Sequence, residues 1–224
     1  MKTTKRIKTW AEIDADKVYA VADAIEILRK YASKKFDETV DFAIKLGVDV
    51  TKADQNIRGM LSLPHGTGKT VRVAVISNGK DDEAKKAGAD LAGGEELIEK
   101  IAGGEINFDR LIATPDMMPK MAKVARVLGP KGLMPNPKLG TVTNNIADAV
   151  KMAKAGQIEY RAEKKGIIHA GVGKMSFTTP QLVENIGALV DQLKKVKPAS
   201  SKGQYILGAS VSTTQGPGIR VEVK

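Results

Sequence analysis

Residues 63–76 read Leu-Pro-His-Gly-Thr-Gly-Lys-Thr-Val-Arg-Val-Ala-Val-Ile, and the chain changes character across them. Upstream, residues 39–47 alternate: Val40, Phe42, Ile44 and Leu46 fall on one side, Thr39, Asp41, Ala43 and Lys45 on the other. A period of two marks a strand with one covered and one open face. Downstream, Val71 to Ile76 is a continuous apolar run broken only by Arg72, the pattern of a strand buried on both faces. Helical patterns at 81–87 and 95–102, an apolar strand at 110–114 and a helix at 117–128 follow. That alternation predicts a parallel sheet with helices on both sides.

Working outward, a helix is expected at about 17–33, with Asp14 and Asp16 near its start as cap and dipole partner, and a short strand at 59–63. A helix at 146–155 leads back to two-sided strands at 157–161 and 166–170, an amphipathic helix at 181–195, and strands at about 205–212 and 218–223. The middle block thus reads as an α/β domain inserted into another. Neither flank, 1–66 or 158–224, has enough helix to cover its own strands, so the two must complete one domain around an insert at 67–157.

The Gly-Lys-Thr at 68–70 has the ending of a phosphate-binding P-loop, but the pattern needs glycine at position 63, which is leucine. A P-loop also runs from strand to helix, whereas this one runs into a strand, so no helix N-terminus faces the loop. A nucleotide-binding α/β enzyme built on Gly66 to Thr70 is therefore the alternative, and an interdomain connection the preferred reading. The chain has no cysteine and two histidines, His65 and His169, which leaves little for thiol chemistry or zinc. No cofactor is expected, and no catalytic residues.

With 36 Lys and Arg against 26 Asp and Glu the formal net charge is +10, which favours a polyanionic partner. No apolar run approaches the length of a membrane span and the first residues lack a signal-peptide pattern, so a cytoplasmic protein is expected. The flanks hold 22 basic and 15 acidic residues, the insert 14 and 11, which places most of the excess in the split domain. Within the insert, no acid occurs between Met117 and Ala147, and residues 129–140 (Gly-Pro-Lys-Gly-Leu-Met-Pro-Asn-Pro-Lys-Leu-Gly) form a stiff loop carrying Lys131 and Lys138. Lys34-Lys35-Phe36 precedes the first strand, and Ser212-Thr213-Thr214-Gln215-Gly216-Pro217-Gly218 offers hydroxyls and bare backbone near the end. Such groups suit ribose and phosphate contacts.

Together these motifs resemble the L-one family of ribosomal proteins, of the large subunit's mobile stalk. The likeness rests on Lys35-Phe36-Asp37-Glu38-Thr39-Val40-Asp41, Ala53-Asp54-Gln55-Asn56-Ile57-Arg58-Gly59, residues 63–68, the run at 129–140, Gly166-Ile167-Ile168-His169 and the turn at 212–218, in that order. It implies a split α+β RNA-binding domain (antiparallel sheet with helices) and an inserted Rossmann-like three-layer α/β domain on two connections. The implied partners are large-subunit rRNA, exit-site tRNA whose release the stalk assists, and the protein's own operon mRNA, which it represses; no membrane is implied, and the free protein is expected to be monomeric.

Carried onto this chain, the resemblance implies RNA contacts at Lys35, Phe36, Thr39 and Asp41, at Lys164 and His169, and at Thr213, Thr214, Gln215, Gly216 and Pro217; Lys131 and Lys138, on the stiff loop, are expected as secondary electrostatic contacts. Gln215 stands where the family usually has methionine, and Glu163 where it often has aspartate.

Overall fold

The computed structural model describes residues 9–10, 13–14, 16–201 and 203–223; of Ala53 and Lys138 it describes the backbone only, so the side chain of the latter lies outside the described residues. In chain order the main elements are α1 (Val21–Tyr31), β1 (Thr39–Leu46), β2 (Arg58–Ser62), β3 (Val73–Ile76), α2 (Asp81–Lys86), β4 (Leu91–Gly93), α3 (Glu95–Ala102), β5 (Arg110–Ala113), α4 (Met118–Met121), α5 (Ala125–Leu128), α6 (Ile146–Lys154), β6 (Gln157–Arg161), β7 (Ile167–Lys174), α7 (Thr179–Lys195), β8 (Ile206–Thr213) and β9 (Ile219–Val221). The fold is mixed α/β, with antiparallel and parallel sheets. By contacts the described chain divides into two compact units, one up to Gly68 and again from Ile158, the other Lys69–Gln157.

In the first unit, β1 is the centre of an antiparallel sheet ordered β7-β1-β8-β9. Val40, Phe42, Ile44 and Leu46 are buried under α1 and α7, whose Ile25, Leu28, Leu182, Ile186, Leu189 and Leu193 complete that core. The opposite face of β1 stays open, with Asp41 and Lys45 exposed and Thr39 and Ala43 half-buried. Each flank thus supplies one covering helix. A separate two-stranded sheet joins β2 to β6, one strand from each flank.

The first helix begins at Val21, four residues later than its spacing suggests, because Tyr19 belongs to the sheet edge. Its N–H donates to Arg220 O at 3.0 Å and its carbonyl accepts from the Glu222 N–H at 2.9 Å. Asp14 and Asp16 therefore do not cap α1: the cap position is Ala20, which makes no side-chain bond. β7 runs on to Lys174, past the expected end at 170. Its glycines weaken the strand signal but serve packing, since a Cβ at Gly173 would lie 2.7 Å from Leu182 Cδ2 of α7.

The second unit has three layers. Strands β4-β3-β5 are parallel, with α2 and α6 packed on Val73, Val75 and Ile112, and α3 with α4 and α5 on Ala74, Ile76, Leu111 and Ala113. β4, three residues long, is too short to show a period in the sequence. The single helix expected over 117–128 is instead α4 and α5 joined with 3-10 turns at Pro115–Met117 and Ala122–Val124. Winding alternates, yet Met117, Met121, Val124 and Leu128, spaced four, three and four apart, all remain buried.

Candidate nucleic-acid interface

Two chain segments meet at the start of β1. The loop after α1, residues 33–38, exposes Lys34, Lys35 and Phe36; Phe36 is 43% exposed, so it is a presented aromatic rather than a core one. The loop is pinned from outside. Lys174 Nζ donates to Asp37 O at 3.2 Å and to Thr39 Oγ1 at 3.0 Å, and the Asp37 carboxylate accepts from Ser176 N at 3.1 Å and Ser176 Oγ at 2.8 Å. Beside it lies the turn between β8 and β9. There the Thr39 N–H donates to Thr214 Oγ1 at 3.0 Å and the Thr214 N–H donates back to Thr39 O at 3.1 Å.

Lys35, Phe36, Thr39, Thr214, Gln215 and Gly216 are thus brought to one corner, with Thr214 and Gln215 exposed and Gly216 half-buried. Thr213 and Pro217 are buried, so of the residues expected to contact RNA in this turn they present the least surface. The turn folds inward there, and a Cβ at Gly216 would collide with Thr213 Oγ1, so Thr213 and Pro217 shape the turn while glycine lets it close. Asp41 sits two residues along β1, paired across to Gly171 and Ser212.

The structure does not bring Lys164 and His169 to this corner. His169 lies opposite Ala43, and Lys164 in the turn closed by the Gly166 N–H on Glu163 O at 2.8 Å. Four residues of strand between Thr39 and Ala43 amount to about 13 Å. Between the two clusters the open face is floored by small residues, Ala43, Gly208, Ser210 and Ser212, where a polymer backbone could approach closely. His169 pairs loosely with Glu163, 3.8 Å away.

Lys131 is exposed in the second unit, in the turn closed by the Gly132 N–H on Gly129 O at 3.0 Å. The acid-free stretch is less isolated than its sequence suggests, because α3 supplies a partner: Lys120 pairs with Glu95, and the lysine holds that carboxyl below the usual range. Asn136 N donates to Thr141 Oγ1 at 2.8 Å, fixing the proline run.

The Gly66 to Thr70 segment is a packed connection. His65 N–H donates to Asn185 Oδ1 at 3.1 Å, Asn185 Nδ2 donates to Gly66 O at 3.1 Å, and Gly66 and Gly68 take left-handed φ of 66° and 69°. The chain then enters β3 with no helix after the loop. Among the described residues no group of three or more His, Cys, Asp or Glu could hold a metal, and no helix is long and apolar enough to cross a membrane.

The sequence reading passed over Glu38. Its signal was legible: it shares the covered face of β1 with Val40 and Phe42, where an acid is out of place, and it is 1% exposed. A model of the Ribosomal protein L1p/L10e family matches residues 28–217 of the 224, a span holding both contributors to the corner and the whole second unit. The chain belongs to that family, and so is a structural protein of the large ribosomal subunit that binds its rRNA.

Proposed function

We propose that the rRNA is gripped by the split domain, 1–66 with 158–224, at the corner where the loop carrying Phe36 and the turn carrying Thr214 come together, and that the insert, 67–157, is a separate domain carried on two connections. The observation that carries this is an exposed aromatic on a loop pinned by Lys174 and Ser176, beside a turn of exposed hydroxyl, amide and glycine. Aromatics make up 4% of the chain, so few bases can be stacked, and recognition works by shape. Hydroxyls and backbone of the corner meet riboses and phosphates of a pre-folded RNA. Lys35 and Lys164 add a salt-dependent attraction of lower specificity, while Asp41 and His169 contact the RNA along the open face.

The same corner represses the protein's own operon by binding messenger folded like the rRNA site. Lys131 and Lys138 of the insert make a secondary electrostatic contact with exit-site tRNA or rRNA and so assist release of deacylated tRNA. The two compact units, the connection at 66–70 and the acid-free stretch of sequence from Met117 to Ala147 support this division of labour. Filter binding of purified large-subunit rRNA, competed with operon leader mRNA and with duplex DNA, tests it. Competition from the leader and none from DNA is expected; equal competition from DNA would remove the reading.

A further inference from the structure

Glu38 occupies a position where the strand pattern calls for an apolar side chain, and its carboxylate faces two different segments. Oε1 accepts the Ser33 N–H at 2.7 Å, and Oε2 accepts the Gln215 N–H at 3.3 Å. Ser33 opens the loop that carries Lys35 and Phe36, and Gln215 lies in the turn that carries Thr214 and Gly216. The Glu38 carbonyl meanwhile accepts from Met175 N at 2.9 Å, anchoring the residue at the end of β7. A buried carboxylate is costly unless hydrogen-bonded, and here its bonds reach backbone donors outside the sheet ladder.

We propose that Glu38 is a positioning residue for RNA binding: one carboxylate sets both loops of the corner in their binding form before RNA arrives. This rests on the reading of the corner as the rRNA site. Loops already ordered have less conformational entropy to lose on binding. Because both hang on one side chain, disturbing it loosens them together. Glutamine cannot substitute, since it offers one acceptor oxygen and turns an NH2 group toward one of two N–H donors.

The test uses the full chain and its Glu38→Gln variant, with amide hydrogen exchange followed by NMR and affinity for purified large-subunit rRNA measured by filter binding. In the variant the Ser33 and Gln215 amides should exchange faster together while the Leu189 amide in α7 does not. Affinity should fall about ten-fold, the magnitude of losing one hydrogen bond to a charged group. The salt dependence should be unchanged, because no cation is removed. Thr214→Ala should cost less in the variant than in the native chain, since both act through the same turn.

Native affinity in the variant, additive losses, or equal acceleration at Leu189 would each overturn the proposal. If the variant does not fold, exchange in the native chain decides, and rapid exchange at either Ser33 or Gln215 overturns it. A native chain that fails to bind rRNA would remove the reading of the corner itself. That outcome is distinct from a native chain that binds and a variant that binds equally well.

Discussion

Thr214 Oγ1 accepts the Thr39 amide proton at 3.0 Å across 175 positions of sequence. Thr214→Ala removes this acceptor at an exposed site, where water can replace it, so stability should fall by about 0.5–1.5 kcal/mol. Binding should suffer more. Affinity for large-subunit rRNA is expected to drop at least about ten-fold for Thr214→Ala and for Phe36→Ala, a loss of order 1.4 kcal/mol. Lys131→Ala should stay within about two-fold, as for a screened surface charge. Equal losses in a filter-binding series would contradict a primary site at the corner.

Lysine and aromatic contacts should separate in salt. Lys35→Ala or Lys164→Ala should each lower the slope of log affinity against log salt by about 0.7–0.9, whereas Phe36→Ala should leave the slope intact and lower the intercept. A titration from low to high potassium chloride distinguishes these patterns.

The second unit should be acid-sensitive. Asp90 Oδ2 accepts the Val73 N–H at 2.8 Å and Asp109 Oδ2 the Arg72 N–H at 3.0 Å. The Val73 and Arg72 backbone bonds respectively are the main reason each carboxyl sits below its ordinary value. A depressed folded pKa gives stability that is present above the unfolded value, about 3.9, and is lost as pH falls through the folded one. Calorimetry should show the melting of this unit level above about pH 5 and declining below about pH 4. Asp90→Ala orphans the buried Val73 N–H and should cost about 1–3 kcal/mol at neutral pH. Tyr205 works in the other direction. Burial, and then Tyr160, push its hydroxyl up to about 12, so its contribution is complete below its unfolded value of about 10 and is lost as pH climbs through 12.

Asn185 is fully buried and holds three backbone groups: the His65 N–H at 3.1 Å, Gly66 O at 3.1 Å and Val172 O at 2.7 Å. Asn185→Leu should destabilise the chain by about 3 kcal/mol or more, because several backbone groups lose their partner together. His65→Ala removes a side-chain contact with Glu184, whose carboxylate is open to solvent, and should cost less than about 1 kcal/mol. Urea midpoints compare the two; a similar shift for both would mean that the side-chain pair, not Asn185, fastens this connection.

Removing residues 69–157 and joining Gly68 to Ile158 should leave a folded module that retains most of the rRNA affinity. The core of α1, α7 and the four-stranded sheet contains no residue from the excised segment. A folded module without affinity would move the primary site into the insert.

Local periods carried most of the architecture. In β1 the alternation separates Phe42 from Lys45, and in β3 the unbroken run Val73 to Ile76 announces a strand covered on both faces. What local patterns miss depends on distant partners. Tyr19 resembles the start of a helix until Arg220 and Glu222 engage it, and Lys120 resembles a free cation until α3 brings Glu95 to it. At the corner, composition pointed to Thr213 and Thr214 alike. Only the inward fold of the turn separates a buried hydroxyl from an exposed one, and side-chain type alone carries no record of that direction.

The central strand of the four-stranded sheet is also the earliest in the chain, and both of its neighbours come after the insert. At about 5–20 residues per second, the 175 positions between Thr39 and Thr214 take roughly 9–35 s to emerge during synthesis. For most of that interval, until Ile167–Lys174 has emerged, β1 has no ladder partner, although every strand of the second unit is out before then. The corner is therefore complete only once Thr214 has emerged, well after the last strand of the second unit.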